Sequence, residues 1–210
     1  MEHCRFNAIR KENLKCSINE FFCEGCGVCA YVCKNEAVSL SDDTAGRQAV
    51  YREDIVLSTA ELKMGRGNSG KLVSAVKKEM IKAAPEAELA GIDGSPGIGC
   101  PVISSVNGVD LVLIVAEPSL SGASDLKRLL KTITTFGTKA AVCVNKWDVS
   151  PENTEAVEEL CRVCDVPFAG KIPYDKTAYE AINSGRSIAE FDCPAKDAII
   201  KVFNKTMSMF

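Results

Sequence analysis

The chain has 210 residues, a net charge of −3 and 46% hydrophobic residues, which is the composition of a globular protein rather than of a disordered or fibrous one. The acidic balance provides no global positive field for nucleic acid or anionic lipid, and the longest apolar runs are too short to span a bilayer. The first residues lack the apolar stretch of a signal peptide, which predicts a reducing, cytoplasmic setting.

The 11 cysteines are unevenly distributed, because six of them fall within the first 33 residues. Four have the spacing C-x2-C-x2-C-x3-C of two-cluster bacterial ferredoxins, at Cys23, Cys26, Cys29 and Cys33. The fourth cysteine of such a run binds the other cluster, so Cys33 is an orphan ligand here. Cys4 is the expected fourth ligand beside the first three, which predicts one complete 4Fe–4S site. Zinc or a group of free thiols is the alternative. Cys16 has no place in the spacing and is interpreted as a packing residue, with replacement of Cys4 as a ligand as the alternative.

The elements predicted along the chain define a small cysteine-rich module over residues 1–40 and an α/β domain over residues 41–210. A strand is expected at 37–40, followed by a polar connection over 41–50. Apolar runs then predict strands at 55–62, 89–92, 111–115, 140–144 and 168–172. Helical spacing predicts helices at 71–84, 124–136, 154–164, 177–182 and 195–203, with Ser124 as the N-cap of the second. This alternation predicts a mostly parallel, doubly wound sheet with helices on both faces.

Two glycine-rich segments are candidates for phosphate binding. Residues 65–72 nearly match the P-loop pattern G-x4-G-K-[ST], but Leu72 stands where a Mg²⁺-binding hydroxyl is required. A glycine-rich helix start is therefore the favoured interpretation of this segment. Asp93 follows a predicted strand and precedes three glycines, Gly94, Gly97 and Gly99. An acid in that position can hold Mg²⁺, and the glycines allow backbone N–H groups to approach a γ-phosphate; a capped Gly/Pro turn is the alternative.

A third segment, Asn145-Lys146-Trp147-Asp148, follows the strand predicted at 140–144. The asparagine amide can form hydrogen bonds with a purine edge, and the lysine stem can pack on the face of the base. The alternative interpretation is an ordinary Asn/Asp turn before a helix. Ligands bind at the carboxyl ends of parallel strands, so the loop position favours the nucleotide interpretation.

In this order, the motifs resemble those of MinD-like P-loop ATPases that carry an inserted two-cluster ferredoxin domain. The resemblance rests on the cysteine segments and on residues 67–73, 92–103, 117–118, 144–146 and 172–173. It implies that Asp93 is a switch-loop acid near Mg²⁺ and the γ-phosphate, that Asn145 contacts adenine and that Pro173 lines the base pocket. In that family the phosphate loop precedes the ferredoxin insert. This chain is therefore expected to start inside the insert, without the phosphate loop and with an incomplete central sheet.

The resemblance implies an iron–sulfur part of an ATPase that couples nucleotide binding or hydrolysis to electron transfer or cluster handling. ATP and Mg²⁺ are the cofactors implied for the complete protein, and this chain is not expected to hydrolyse ATP alone. The alternatives are a non-enzymatic ferredoxin-like carrier or binding module, and a GTP-binding protein that uses Asn145-Lys146-Trp147-Asp148. The implied partners are a redox protein or an iron–sulfur client and, for the full protein, a second copy of itself. No nucleic-acid partner is expected.

Overall fold

A computed structural model describes residues 2–13, 15–65, 67 and 69–210 of the chain. They form two compact units, Met1–Ile92 and Asp93–Phe210.

The described residues of the first unit form two antiparallel hairpins and two helices. Strands β1 (Ile9–Glu12) and β2 (Lys15–Ile18) pair with Ile9 opposite Ile18, and helix α1 (Val28–Tyr31) is a single turn. Strands β3 (Gly46–Arg52) and β4 (Val56–Leu62) form the second hairpin, and helix α2 (Ser69–Ala83) packs against β4. The Ser58 hydroxyl donates a hydrogen bond to the Val76 carbonyl at 2.9 Å, which joins this hairpin to α2.

The second unit is built on a three-stranded parallel sheet in the order β5–β6–β7. Its elements are, in chain order, α3 (Cys100–Val106), β5 (Leu111–Ala116), α4 (Leu120–Thr135), β6 (Lys139–Asn145), α5 (Pro151–Val163), β7 (Phe168–Ile172), α6 (Lys176–Asn183) and α7 (Pro194–Met207). Short 3-10 turns lie at Trp147–Val149 and Ile188–Glu190. The prediction of an α/β fold with a parallel sheet is confirmed for this unit.

Both faces of β6 are buried. Successive side chains of a strand point to opposite sides, and those of β6 enter two different buried clusters. Val142 and Val144 belong to a core that also contains side chains of α3, α4 and α5. Ala141 and Cys143 face the other way and pack with Val202 of α7. Helices therefore cover both faces of this parallel sheet, as the continuous apolar strands predict.

Several local predictions were wrong. Residues 37–40, all of them described, form no strand, and the supposed polar connection over 41–50 includes the start of β3. Residues 89–92, also all described, lie in no strand, since an apolar run needs a partner strand to become one. Helix α4 begins at Leu120 and not at Ser124, because the Ser119 hydroxyl caps it by accepting a hydrogen bond from the Gly122 N–H at 3.0 Å.

Candidate functional site

The cysteine loop leads into helix α1 of the first unit. Two of its glycines, Gly25 and Gly27, have positive φ angles of 60° and 76°, in the left-handed region that favours glycine. These conformations turn the backbone sharply between successive cysteines, as a loop that wraps a cluster requires. Cys23 and Cys29 are partly buried, and Cys26 is exposed.

Cys4 and Cys33 have the same local geometry, which sequence reasoning missed. Each Sγ accepts a hydrogen bond from the backbone N–H four residues later, Ala8 at 3.4 Å and Ala37 at 3.3 Å. Three residues after each cysteine, the backbone has a positive φ, 52° and 49°. These backbone N–H donors, Ala8 foremost for Cys4 and Ala37 for Cys33, lower the pKa of each thiol and so favour the thiolate that binds metal. The shared pattern C-x3-A-[IV] is the sequence signal for this repeat.

The donor chemistry of this module fits an iron–sulfur cluster, since thiolates on a glycine-rich loop and N–H···S hydrogen bonds are its usual environment. Over residues 2–13, 15–65, 67 and 69–210, no three His, Cys, Asp or Glu side chains come close enough together to form a metal site. The predicted ligands Cys4, Cys23, Cys26, Cys29 and Cys33 are thus not gathered around one centre.

Two described glycines of the glycine-rich segment, Gly65 and Gly67, lie close to residues at and before the start of the cysteine loop, within the same unit. A Cβ added at Gly65 would lie 3.2 Å from the Phe21 ring, and one added at Gly67 would overlap the Glu24 carboxylate. Two further residues of this near-P-loop, Arg66 and Asn68, lie outside the described part of the chain. The described contacts are those of a glycine-rich connection that runs close to the cysteine loop.

The second unit brings the predicted base-binding residues to one edge of its sheet. Ala116 at the end of β5 is in register with Val144 of β6, and Asn145 is in register with Ile172 at the end of β7. Asn145 and Pro173 therefore lie at the carboxyl ends of neighbouring strands, where a parallel sheet binds ligands. Pro173 also lines a groove of about 410 Å³ between β7 and α7, and Asn145 is not among the residues that line it.

Lys146 has a defined partner across the sheet edge. Its backbone is left-handed, with φ 56°, and its Nζ lies 2.8 Å from Oε1 of Glu117, which follows β5. The hydrogen bond and charge of Glu117 raise the pKa of Lys146. The ammonium of Lys146 is thus directed to a carboxylate, and the stem of the side chain remains the part suited to contact a base.

The predicted phosphate-side residues Asp93, Gly94, Gly97 and Gly99 lie in one exposed loop of the second unit. Gly99 is the N-cap of α3, and Gly97 has a φ of 90°. A Cβ on Gly94 would lie 4.0 Å from the Ser105 side chain, so there is room beside this glycine. The loop is accessible to a ligand, as the predicted role requires.

Cys161 and Cys164 have the spacing C-x-x-C, but their environments differ and do not favour a redox pair. Cys161 is buried in the core of the second unit, and burial raises the pKa of its thiol to about 11. Cys164 is exposed at the end of the same helix. A thiol with such a pKa is protonated at neutral pH, so Cys161 acts as a small apolar side chain.

The sequence matches the model of a known protein family over most of its length. The chain belongs to the CobQ/CobB/MinD/ParA nucleotide binding domain family, CbiA, whose model matches residues 11–188. The structure resembles the cell division ATPase MinD of Pyrococcus furiosus, with a TM-score of 0.61 at 19% identity over 77% of this chain and 70% of the other. It also resembles Pyrococcus horikoshii MinD complexed with Mg-ADP, with a TM-score of 0.58 at 21% identity over 73% and 65%.

Three relatives come from Methanocaldococcus jannaschii. MJ0578, an uncharacterized protein, is 42% identical over 86 residues, which are 41% of this chain and 30% of the relative. MJ0579, also uncharacterized, is 24% identical over 90% of this chain and 64% of its own length. MJ0547, an uncharacterized ATP-binding protein, is 27% identical over 82% and 68%. The chain therefore spans less than two thirds of the length of the first two relatives. In the described ranges, every helix is too short or too polar to cross a bilayer.

Proposed function

We propose that this chain is the iron–sulfur part of a MinD-like ATPase, in which nucleotide binding is coupled to electron transfer or cluster handling. The observation that carries the iron–sulfur half is the repeated geometry of Cys4 and Cys33. The family membership and the base-side residues at the sheet edge support the nucleotide half.

The structure does not gather Cys4, Cys23, Cys26 and Cys29 around one centre, so in this proposal they come together when a 4Fe–4S cluster binds. Cys33 repeats the environment of Cys4, so it is assigned as the equivalent ligand of a second cluster. A bound cluster would supply one-electron transfer. The residues of this chain provide thiolates whose pKa is lowered by backbone N–H donors and a loop that glycines allow to turn tightly.

In the nucleotide half, Asn145 recognises the base through its amide, Lys146 packs its stem on the base and Pro173 lines the base pocket. Asp93, with Gly94, Gly97 and Gly99, faces Mg²⁺ and the γ-phosphate. ATP is favoured because one relative is named as ATP-binding and one structural neighbour holds Mg-ADP. The near-P-loop is not the phosphate cradle in this proposal, since Leu72 replaces the required hydroxyl.

The cluster is tested by anaerobic reconstitution of the chain with iron and sulfide, followed by iron analysis and electron paramagnetic resonance. We expect about four irons per chain and the signal of a reduced 4Fe–4S cluster. Cys26→Ala should lower the iron content, whereas Cys16→Ala should not, although both cysteines are exposed in the same unit. Bound zinc without iron, or equal iron in wild type and Cys26→Ala, would contradict the cluster assignment.

The nucleotide half is tested by titrating the chain with ATP and GTP and following the NMR signals of the second unit. Asn145→Ala should weaken ATP binding about tenfold, the effect of removing one well-made hydrogen bond. Asn183→Ala, an exposed asparagine of α6 in the same unit, is the matched control and should leave the affinity unchanged. If the wild type binds a cluster but neither nucleotide, the ferredoxin-like carrier becomes the better description.

A further inference from the structure

The loop after β6 is joined to the loop after β7 by Asp148. Its Oδ1 accepts a hydrogen bond from the backbone N–H of Tyr174 at 2.7 Å, across 26 residues of sequence. Tyr174 directly follows Pro173, the residue proposed to line the base pocket. The hydrogen bond is charge-assisted, and such bonds are among the stronger ones in proteins. It therefore links the two strand-end loops that carry the proposed base-binding residues.

The two residues before Asp148 also fix the loop after β6 through contacts within the second unit. Trp147 packs against the core of the second unit, and its carbonyl accepts a hydrogen bond from the Thr154 hydroxyl at 2.9 Å. Thr154 is only 1% exposed, so this contact anchors the loop to helix α5. With Lys146 paired to Glu117 at 2.8 Å, three successive residues of the loop each have a fixed partner. Asn145, just before them, is consequently presented from a rigid support.

This arrangement bears on the alternative in which Asp148 recognises guanine. A carboxylate that reads guanine accepts hydrogen bonds from two neighbouring donors of the base edge, N1–H and the N2 amino group, and uses both of its oxygens. Here Oδ1 is directed to the Tyr174 N–H, so a guanine donor at this oxygen would have to share it with the protein backbone. We propose that Asp148 is a positioning residue, which holds the Pro173–Tyr174 loop beside Asn145 and does not read the base itself. This inference rests on the proposed nucleotide site.

The test compares Asp148→Ala and Asp148→Asn in the whole chain, with ATP and GTP as probes and with hydrogen exchange of the Tyr174 amide as a second readout. Asparagine retains an Oδ1 acceptor, whereas alanine has none. We expect Asp148→Ala to accelerate exchange at Tyr174 about tenfold and to weaken ATP binding by a similar factor. Asp148→Asn should stay within about threefold of wild type in both readouts. Asp125→Ala, an exposed aspartate of α4, should change neither.

The outcomes separate the two proposals. If the wild type binds ATP and Asp148→Ala binds it equally well, the positioning role is overturned while the nucleotide site stands. If the wild type prefers GTP and Asp148→Asn loses GTP, Asp148 reads guanine and the positioning role is wrong. If the wild type binds neither nucleotide, the proposed nucleotide function itself fails. Rescue by asparagine with preserved Tyr174 protection supports the positioning role, since a base-reading carboxylate would not tolerate the amide.

Discussion

Gly122 in the first turn of helix α4 should not tolerate a side chain. A Cβ added there would lie 2.3 Å from the carbonyl oxygen of Glu117 and 3.1 Å from Oγ of Ser119. The first of these atoms belongs to the backbone, so it cannot move away by a change of rotamer. Gly122 thus allows the Glu117–Ser119 segment to fold back onto α4, which places the Glu117 carboxylate within reach of Lys146.

Two opposing effects set the magnitude for Gly122→Ala. Forcing a methyl group into a closely packed site costs typically 1–3 kcal/mol, and we take about 3 because the contact is with backbone. Alanine is favoured over glycine in a helix by about 1 kcal/mol. The expected net loss is therefore about 2 kcal/mol of the free energy of unfolding.

Urea denaturation followed by fluorescence measures this loss in the relevant unit. The chain has a single tryptophan, Trp147, which packs against the core of the second unit, where Gly122 also lies. Ser121→Ala introduces the same residue at an exposed position of the same helical turn, and it should stay within about 0.5 kcal/mol of wild type. If Gly122→Ala is as stable as wild type, or more stable, the argument from close backbone approach is refuted.

Three further predictions concern the core, acid stability and thiol reactivity. Val157→Ala should destabilise the second unit by about 2–3 kcal/mol, because Val157 is fully buried, whereas Val163→Ala on the same helix, 74% exposed, should change the urea midpoint little. The backbone N–H of Thr177 foremost, then the Thr177 hydroxyl and the Ala195 N–H, lowers the pKa of Asp175. The ionised Asp175 carboxylate therefore contributes its full stabilisation above the ordinary carboxyl pKa, and this contribution disappears as the pH falls through the lower pKa of the folded state. We expect Asp175→Ala to make the free energy of unfolding depend less steeply on pH on the acid side. In the reduced, metal-free chain, Cys4 and Cys33 should be alkylated at lower pH than a free peptide thiol, as peptide mass spectrometry after timed quenching would show; identical pH midpoints would contradict the N–H···S geometry.

The elements that sequence patterns predicted well are those with a strong periodic signal. Strand β6 is a continuous apolar run with turn residues after it, and its burial on both faces follows directly from that composition. Strand β3 was missed because its sequence, GRQAVYR, mixes charged and apolar residues without a clear period of two. Its pairing with β4 depends on a partner that the local sequence does not show.

The positions of candidate site residues were predictable from the sequence where a residue suited to bind a base directly follows a predicted strand. Asn145 and Pro173 were placed at the ends of predicted strands, and the sheet register brings these ends side by side. The partner of Asp148 was not predictable, since it is a backbone N–H 26 residues away and any residue except proline provides one. The common environment of Cys4 and Cys33 likewise depends on backbone donors and positive φ angles, which a cysteine-spacing pattern does not contain.

The two halves of the proposed function fall in different compact units. Coupling between them can be measured as a change in the midpoint potential of the cluster when nucleotide binds. The cysteine module belongs to Met1–Ile92, and the base-side loops belong to Asp93–Phe210. If nucleotide binding alters the cluster, linkage requires that cluster reduction alter nucleotide affinity by the same factor. A tenfold change in affinity corresponds to about 59 mV in the one-electron midpoint potential. Equal potentials with and without saturating ATP would therefore show two independent functions on one chain, even if the cluster and the nucleotide both bind.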